Sequence, residues 1–573
     1  MESQRSILII AIAFISFLLW QKWHEAYGPQ PVQPVTQQAA DSVPAGVPSA
    51  SSVPASNGTD EDVPVAASEA LPQATASNST KQTISVVTDT LNLTISLVGG
   101  DVIHADLVKF PVTQGSDEPY SLLRAGNGLY VAQSGLVGAN GPDGSSQGRP
   151  LYQAQADSYE LNGDTLSVPL TWSSNDGISI TKTFTFTRGH NDVDVSYAIT
   201  NNSGQTAQFQ QYAQLKQTTA EQEGGNMFMP TYRGAAYGTA DDRYNKYTFG
   251  DIEDDPLRIT TTGGWVSMLE HYFISAWVPS QTETNSLYSR MVANQYAIVG
   301  YTGEPTSVES GQVIELNSTL YLGPKDQEKL AMLANGLDLT VDYGILWWIS
   351  QPLFTLLKFL HSLVGNWGLA IILITIIVKG AMYWLTKKQY ESMAKMRNLA
   401  PKMQQLKDRY GDDRQKMSQA MMELYKKEQI NPAAGCLPVL LQIPVFFALY
   451  KVLFVTIEMR HAPFFGWITD LSAPDPTSVF NVFGLLPFGV DFLPPFMQLG
   501  AWPIMMGLSM FFQMRLNPAP PDPVQARIFQ FMPLIFTFLL ATFPAGLVIY
   551  WTWNNLLSMA QQWYIIRSIA KEA

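Results

Sequence analysis

The spacing of apolar residues changes character along the chain, and each change marks a different kind of structure. Residues 26–80 show no period and are rich in Pro, Ala, Ser, Thr, Val and Gln, so they bury too little apolar surface to order themselves and read as a linker. From about residue 82 the period is two. Thr83-Ile-Ser-Val-Val87, Leu91-Asn-Leu-Thr-Ile95, Ile178–Thr187, Val193-Asp-Val-Ser-Tyr197 and Val313–Leu322 alternate apolar and polar positions, as strands with one buried face do. Asn-Gly, Asp-Gly and Gly-Gly pairs punctuate them. Many short strands over about 240 residues predict a large antiparallel sandwich. A short helix over 325–336, stopped at Gly336, closes it.

Beyond that helix the apolar residues run in blocks. Ile345–Leu363 and Trp367–Leu385 are split by Gly365-Asn366, and Leu437–Ile457, about Leu499–Phe512, Ile528–Phe543 and Leu547–Ile566 follow. An earlier block, Ile7–Trp20, follows Arg5 with no small-x-small cleavage site close behind it. It reads as an uncleaved signal anchor with its N-terminus inside, a cleaved signal being the alternative. Residues 387–427 hold 11 Lys and Arg, and short basic loops stay cytoplasmic. Only one crossing then fits between an external domain and that loop. Ile345–Leu363, with two Trp, a Pro, Lys358 and His361, is therefore expected in the outer interface as an amphipathic helix. Six spans result, with both termini cytoplasmic. Phe480–Gln498 is apolar but holds Asp491 and several prolines, and is expected as an external re-entrant or interfacial segment. The basic loop itself is expected to be a helical hairpin over 388–430, turned at Gly411 and capped by Asp412 or Asp413. Its methionines at 393, 396, 403, 417, 421 and 422 suit either a promiscuous binding surface or the seam between the two helices.

Charge divides the same way. Residues 24–342 carry 14 Lys and Arg against 35 Asp and Glu, while the remainder is net basic and the whole chain is −13. An acidic external domain joined to a basic membrane part excludes a nucleic-acid binder, because the cations gather beside spans. The single cysteine, Cys436, leaves the external domain without disulfides, which suits a bacterial periplasm. Nothing resembles a phosphate-cradling loop or a nucleophile–base pair. The six histidines (24, 104, 190, 271, 361, 461) lack metal-ligand spacing, so no cofactor, metal or enzymatic activity is expected.

Polar residues within the spans are few, and one is charged. Lys379 stands in an apolar run, where a cation costs about 2.5–3.5 kcal/mol at the bilayer centre. Such a residue faces a wet cavity or a partner, or else snorkels to the interface. Thr375 lies one helical turn before it on the same face. Gln442 in the third span and Asn554 and Asn555 beside Tyr550 and Trp551 in the last complete the set. Converging, these faces would form a wet groove with one positive charge. No Asp or Glu lies within the spans except Glu458 at an edge, which argues against a proton-coupled transporter. A secondary transporter and a sugar-processing periplasmic enzyme on an anchor remain the alternatives.

Several segments resemble one family. Val378-Lys-Gly-Ala-Met-Tyr383, Thr386–Arg397, Asn431-Pro-Ala-Ala-Gly-Cys-Leu-Pro438, Leu441–Tyr450 and Phe543-Pro-Ala-Gly-Leu-Val-Ile-Tyr550 are similar, in order, to the YidC membrane protein insertases, and Glu2–Ser6 to their Gram-negative form. The resemblance implies a polytopic α-helical membrane protein of six transmembrane helices, five in an insertase core, plus a large all-β periplasmic supersandwich similar to sugar mutarotases. It implies a signal anchor over 1–25, a linker over 26–80, a sandwich over 81–335, an interfacial helix over 340–364 and a core over 365–573. It places a cytoplasm-open groove at Lys379, Thr375, Gln442, Tyr550, Trp551 and Asn554, with Ile443, Pro444 and Val445 as a slide for the arriving helix. Nascent membrane proteins, the Sec translocon, the ribosome and membrane lipids are the implied partners, in the bacterial inner membrane. One departure matters: the family's groove cation is commonly Arg, and here it is Lys, which keeps the charge but loses the planar fork of donors.

Overall fold

The structure is a computed structural model that describes residues 82–572, except 127, 145–147, 221–230, 412, 429–436, 487–488, 491–492, 495–496 and 517–522. The expected signal anchor and linker lie outside the described residues.

Alternation becomes a sandwich because each strand has one face to bury. In Ile178–Thr187 every second residue is buried, and the same holds along Asp192–Asn201. These strands belong to a nine-stranded sheet, which faces an eleven-stranded one. The larger begins at Arg258–Thr262, passes through Ala207–Thr218 and Tyr130–Val137, and ends at Ser158–Glu160. The core between them includes Tyr130, Phe184, Tyr197, Phe209 and Trp277. Pairing is antiparallel among the described residues, except for Thr83–Val87 beside Ser158–Glu160. The alternation also drives a lysine inside. Lys182 occupies a buried position of its strand, and its ammonium donates to the carbonyls of Gly99 (3.1 Å), Gly100 (2.7 Å) and Ser134 (3.1 Å). Burial lowers its pKa to about 7.

Ten helices are described. Two are short, α1 (Phe249–Asp254) and α2 (Gln327–Leu333). α2 starts at Asp326, whose carboxylate accepts from the backbone of Glu328 and Lys329. It ends at Ala334 and not at the expected glycine. Gly336 holds φ +83° just beyond it, where it begins a 3₁₀ turn. Next come α3 (Trp347–Val364), ended by Gly365 in the left-handed conformation, and α4 (Trp367–Ala381), capped by Asn366. Then follow α5 (Tyr383–Tyr410) and α6 (Arg414–Lys427), the latter capped by Asp413 as expected. α7 (Leu437–Val455), α8 (Ala501–Leu516), α9 (Pro523–Leu540) and α10 (Ala545–Glu572) complete the set. α3, α4, α7 and α10 share one apolar core, and α8 and α9 pack on the opposite side of α10.

The segment expected as one span, Trp367–Leu385, is not one straight helix. It breaks at Met382, and the chain continues as Tyr383–Glu391 at 62° to α4. Tyr383, Trp384 and Leu385 carry the apolar run past the break before Lys387 and Lys388 begin the basic stretch. Gly380 weakens the last turn. The hairpin consequently starts at Tyr383 and not at 388, because Lys387, Lys388 and Gln389 are good helix formers with no breaker before them. Among the described residues no single helix is long and apolar enough to cross a membrane, although this bent pair is. Phe480–Gln498, where described, is a 3₁₀ turn over Val479–Asn481 followed by turns.

The sandwich is seated on the helices at one corner. Phe454 lies in the last turn of α7, where carbonyls lack intrahelical donors. His271, in the hairpin between Trp265–Leu269 and Phe273–Pro279, donates from Nε2 to the Phe454 carbonyl at 2.8 Å and packs its ring 4.6 Å from the phenyl. Arg460, just beyond α7, donates to the Pro111 carbonyl at 2.6 Å and lies 5.3 Å over the Phe273 ring. Gln114 reaches the Thr469 carbonyl at 2.5 Å.

Burial, aided by the charges of Lys325 and Lys451, outweighs the Phe454 bond and lowers the His271 pKa to about 4 from the ordinary 6.5. The docked imidazole is therefore neutral. The stability it contributes is complete above pH 6.5 and drains as pH falls towards 4, by at most about 3 kcal/mol. Thermal unfolding of wild type and His271→Gln from pH 7 to pH 4.5 should show the wild type's advantage shrinking across that window.

Candidate functional site

Two helices meeting side by side assemble the site, and a third closes it. Lys379 occupies the last turn of α4, where the carbonyl end of the helix favours a cation. It lies 13 residues from Asn366, or about 20 Å along the helix axis from α4's N-terminal end. The residue is 8% exposed, so it does not snorkel. Its ammonium donates to Ser558 Oγ on α10 at 2.8 Å. That hydroxyl in turn donates to the Asn554 carbonyl at 2.7 Å. The Asn554 side-chain oxygen accepts from Gln442 Nε2 on α7 at 3.1 Å. Gln561 Nε2 donates to the Lys379 carbonyl at 3.2 Å, and Tyr390 on α5 donates to the Ser558 carbonyl at 3.3 Å. A polar ladder from Lys379 through Ser558 and Asn554 to Gln442 thus ties α4, α10 and α7 together.

What distinguishes the ladder is its charge. Among the described residues, the Lys379 ammonium forms no ion pair, and Ser558 is its one hydrogen-bond partner. An ammonium has three donors. Lys182 in the sandwich gives one to each of three carbonyls, as a structural lysine does. Lys379 has donors left over.

The other expected residues differ in what they touch. Gln442 and Asn554 join the ladder. Thr375 is buried one turn from Lys379, but its hydroxyl proton is spent on the Ile371 carbonyl at 2.6 Å. Tyr550 and Trp551 border the ladder through aromatic packing. Phe446 lies 6.0 Å from the Tyr550 ring and 4.8 Å from Trp551, which also meets Phe536 at 5.6 Å. Asn555, grouped with Asn554 in the sequence, turns away and donates to Ser509 Oγ on α8 at 3.0 Å. On α7, Ile443 is exposed and Pro444 and Val445 are half-buried. Phe447, four residues after Ile443, extends the exposed strip. Pro444 lacks an N–H and so leaves a carbonyl one turn earlier without its helical donor.

Sequence reasoning missed Ser558, Gln561 and Tyr390. A signal existed for the first two: Asn554, Ser558 and Gln561 are spaced i, i+4, i+7, a single face of α10. Asn555 and Gln562 form a second face, and Gln562 donates to the Leu516 carbonyl on α8 at 3.2 Å. Among the described residues no group of three or more His, Cys, Asp or Glu could hold a metal ion.

Comparison with known proteins matches this architecture end to end. Residues 83–356 match the YidC periplasmic domain family, and residues 359–572 the 60Kd inner membrane protein family. The membrane protein insertase YidC of Pseudoalteromonas atlantica is 51% identical over 573 residues, covering 100% of this chain and 99% of the relative. That of Shewanella frigidimarina is 47% identical over 578 residues, with 100% and 99% covered. That of Aeromonas hydrophila is 46% identical over 580 residues, again with 100% and 99% covered. An acidic β-sandwich resting on a helical bundle that shelters a lone ammonium, matched over its whole length by these relatives, belongs to the YidC family of inner-membrane protein insertases.

Proposed function

We propose that Lys379 is the docking charge of the insertase: it receives the acidic tail of an arriving membrane segment and holds it while the apolar part moves into lipid. The observation that carries this reading is that, among the described residues, the ammonium has a single hydroxyl partner and no ion pair. In the closed ladder a carboxylate takes the remaining donors or displaces Ser558. At about 4 Å and an effective dielectric near 20, that attraction is worth about 4 kcal/mol. Gln442 and Asn554, already oriented by each other, supply further hydrogen bonds to a tail. Water entering from the cytoplasmic side, next to the break at Met382, lowers the tail's desolvation cost.

The exposed strip of Ile443 and Phe447 then guides the apolar segment outward. Its burial in lipid contributes roughly 25 cal/mol per Å². The membrane potential adds about 2.3 kcal/mol per charge per 100 mV as an acidic tail moves out. No nucleotide or cofactor enters this scheme.

The same reading assigns the wider architecture. Six spans with both termini in the cytoplasm follow from the basic hairpin and the basic tail around Arg567. α3 lies in the outer interface, consistent with exposed Trp347, Trp348, Phe359 and Leu363. Hairpin α5–α6 receives the ribosome or the nascent chain. Its methionines serve in part as a seam, since Tyr425 bonds Met403 Sδ at 3.8 Å, while Met422 stays exposed. The sandwich serves the Sec translocon, and lipids take the released helices. A secondary transporter finds no support in these relatives, which are insertases.

Two substitutions test the role of charge, read by insertion of a small single-span substrate with an acidic N-terminal tail beside one with a neutral tail. Lys379→Glu should depress the acidic substrate by roughly a hundredfold or more, and Lys379→Arg should stay active. Equal insertion by Lys379→Glu removes the electrostatic role. Ser558→Asp should pair with Lys379 from within, abolishing the preference for the acidic tail while leaving the thermal midpoint unchanged or higher. Ser558→Ala should keep the preference and lose about 1 kcal/mol of stability.

A further inference from the structure

The stretch between α7 and α8 ends in a tip, 479–486, that the groove does not explain. Its base is built rigidly. Asp475, nearly buried, accepts from Trp467 Nε1 at 3.1 Å, from the Thr477 backbone at 3.0 Å and from the Trp502 backbone at 2.8 Å. Thr477 Oγ1 accepts from the Ala501 backbone at 3.0 Å, so the two side chains cap α8. A side chain at Gly500 would meet Asp475 Cγ at 2.5 Å, so only glycine allows this approach. The Val479 N–H then closes the base on the Leu499 carbonyl at 2.9 Å.

Above this base the tip turns apolar side chains outward. Val479, Phe480, Val482, Phe483, Leu485 and Leu486 are all exposed, Leu485 by 81%. No charged residue occurs from 476 to 490. The one polar side chain, Asn481, folds back to accept from the Gly484 backbone at 2.9 Å. The backbone donors pair locally: the N–H groups of 482 to 486 all bond to carbonyls of residues 478 to 482, at 2.7–3.3 Å. Val482 and Phe483 hold φ of +52° and +58°, a conformation that bulky L-residues resist.

We infer that this tip is a wedge seated among the acyl chains of the outer leaflet. Internal pairing of backbone donors is what hydrocarbon demands and water does not. Strained backbone that displays only apolar groups needs an apolar medium to offset it. That medium is lipid and not a partner protein, because the tip is anchored to the start of α8, which itself exposes an apolar stripe, Met505, Leu508 and Phe512, spaced as one helix face. Exposed Phe465 and Trp467 stand at the same junction, where aromatics mark the membrane interface. The inference depends on α7 and α8 lying in the bilayer and is independent of Lys379, so a failed groove test leaves it intact.

Because Cys436 is the only cysteine, Cys436→Ser with Leu485→Cys gives one labelling site on the full chain. The protein is labelled with an environment-sensitive nitrobenzoxadiazole dye and reconstituted into phosphatidylethanolamine–phosphatidylglycerol vesicles. Thr206→Cys, on an exposed turn of the sandwich, serves as the aqueous control. The wedge predicts blue-shifted emission and several-fold quenching by lipid spin-labelled high on the acyl chain, neither appearing at 206. Water-like, unquenched emission overturns it. A blue shift without lipid quenching also overturns it, because protein then covers the tip. Phe480→Cys gives the same readout should the 485 variant not fold.

Discussion

One ammonium that no described residue neutralises sets the character of the helical half of this protein. Burying a cation among helices is costly unless it is paired. A structural solution exists in the same chain, where Lys182 is closed off by three carbonyls. The helical core applies no such solution to Lys379. It offers one hydroxyl, the favourable end of a helix, and a neighbouring ladder of amides whose own hydrogen bonds are partly used. Lys379 stands in the last turn of α4, just before the chain bends away. On the proposed docking role, selectivity for an acidic tail needs no moving part and no energy source beyond the membrane potential and lipid burial.

The sandwich and the groove are mechanically connected, although far apart in sequence. α7 carries Gln442 and the exposed strip near its start, and its last turn is capped from outside by His271. Arg460 and Gln114 extend the seat on either side. The external domain therefore fixes the outer end of the helix along which a substrate would slide. It contributes no side chain to the ladder, so the chemistry and the seat are separable in principle.

Much of this architecture is legible in the order of residues alone. Strict alternation locates the strands, because a half-buried strand can hardly hide its period. Yet the alternation says nothing about pairing, and the parallel contact of Thr83–Val87 with Ser158–Glu160 leaves no trace in it. The site is legible wherever a polar residue breaks an apolar run, which singles out Lys379, Gln442 and Asn554. Legibility fails where polar residues are common, towards the end of α10, and so Ser558 and Gln561 escape notice. Orientation is the harder problem. Asn554 and Asn555 are neighbours in sequence but point to different helices, since adjacent residues lie about 100° apart around the helix axis. The bend at Met382 is hidden for a related reason: helix-forming residues continue on both sides.

The central claim, that water from the cytoplasm reaches Lys379 and an acidic tail replaces it there, is tested most directly by solvent access beside that residue. With Lys379 left in place, a thiol substituted for Ser558, whose hydroxyl lies 2.8 Å from the ammonium, can be challenged in the Cys436→Ser background with a charged, membrane-impermeant methanethiosulfonate from the cytoplasmic face of inverted vesicles. The account predicts ready modification that a stalled nascent chain with an acidic tail suppresses. A thiol that stays unmodified in empty vesicles, or one that reacts equally well with the nascent chain in place, would contradict it.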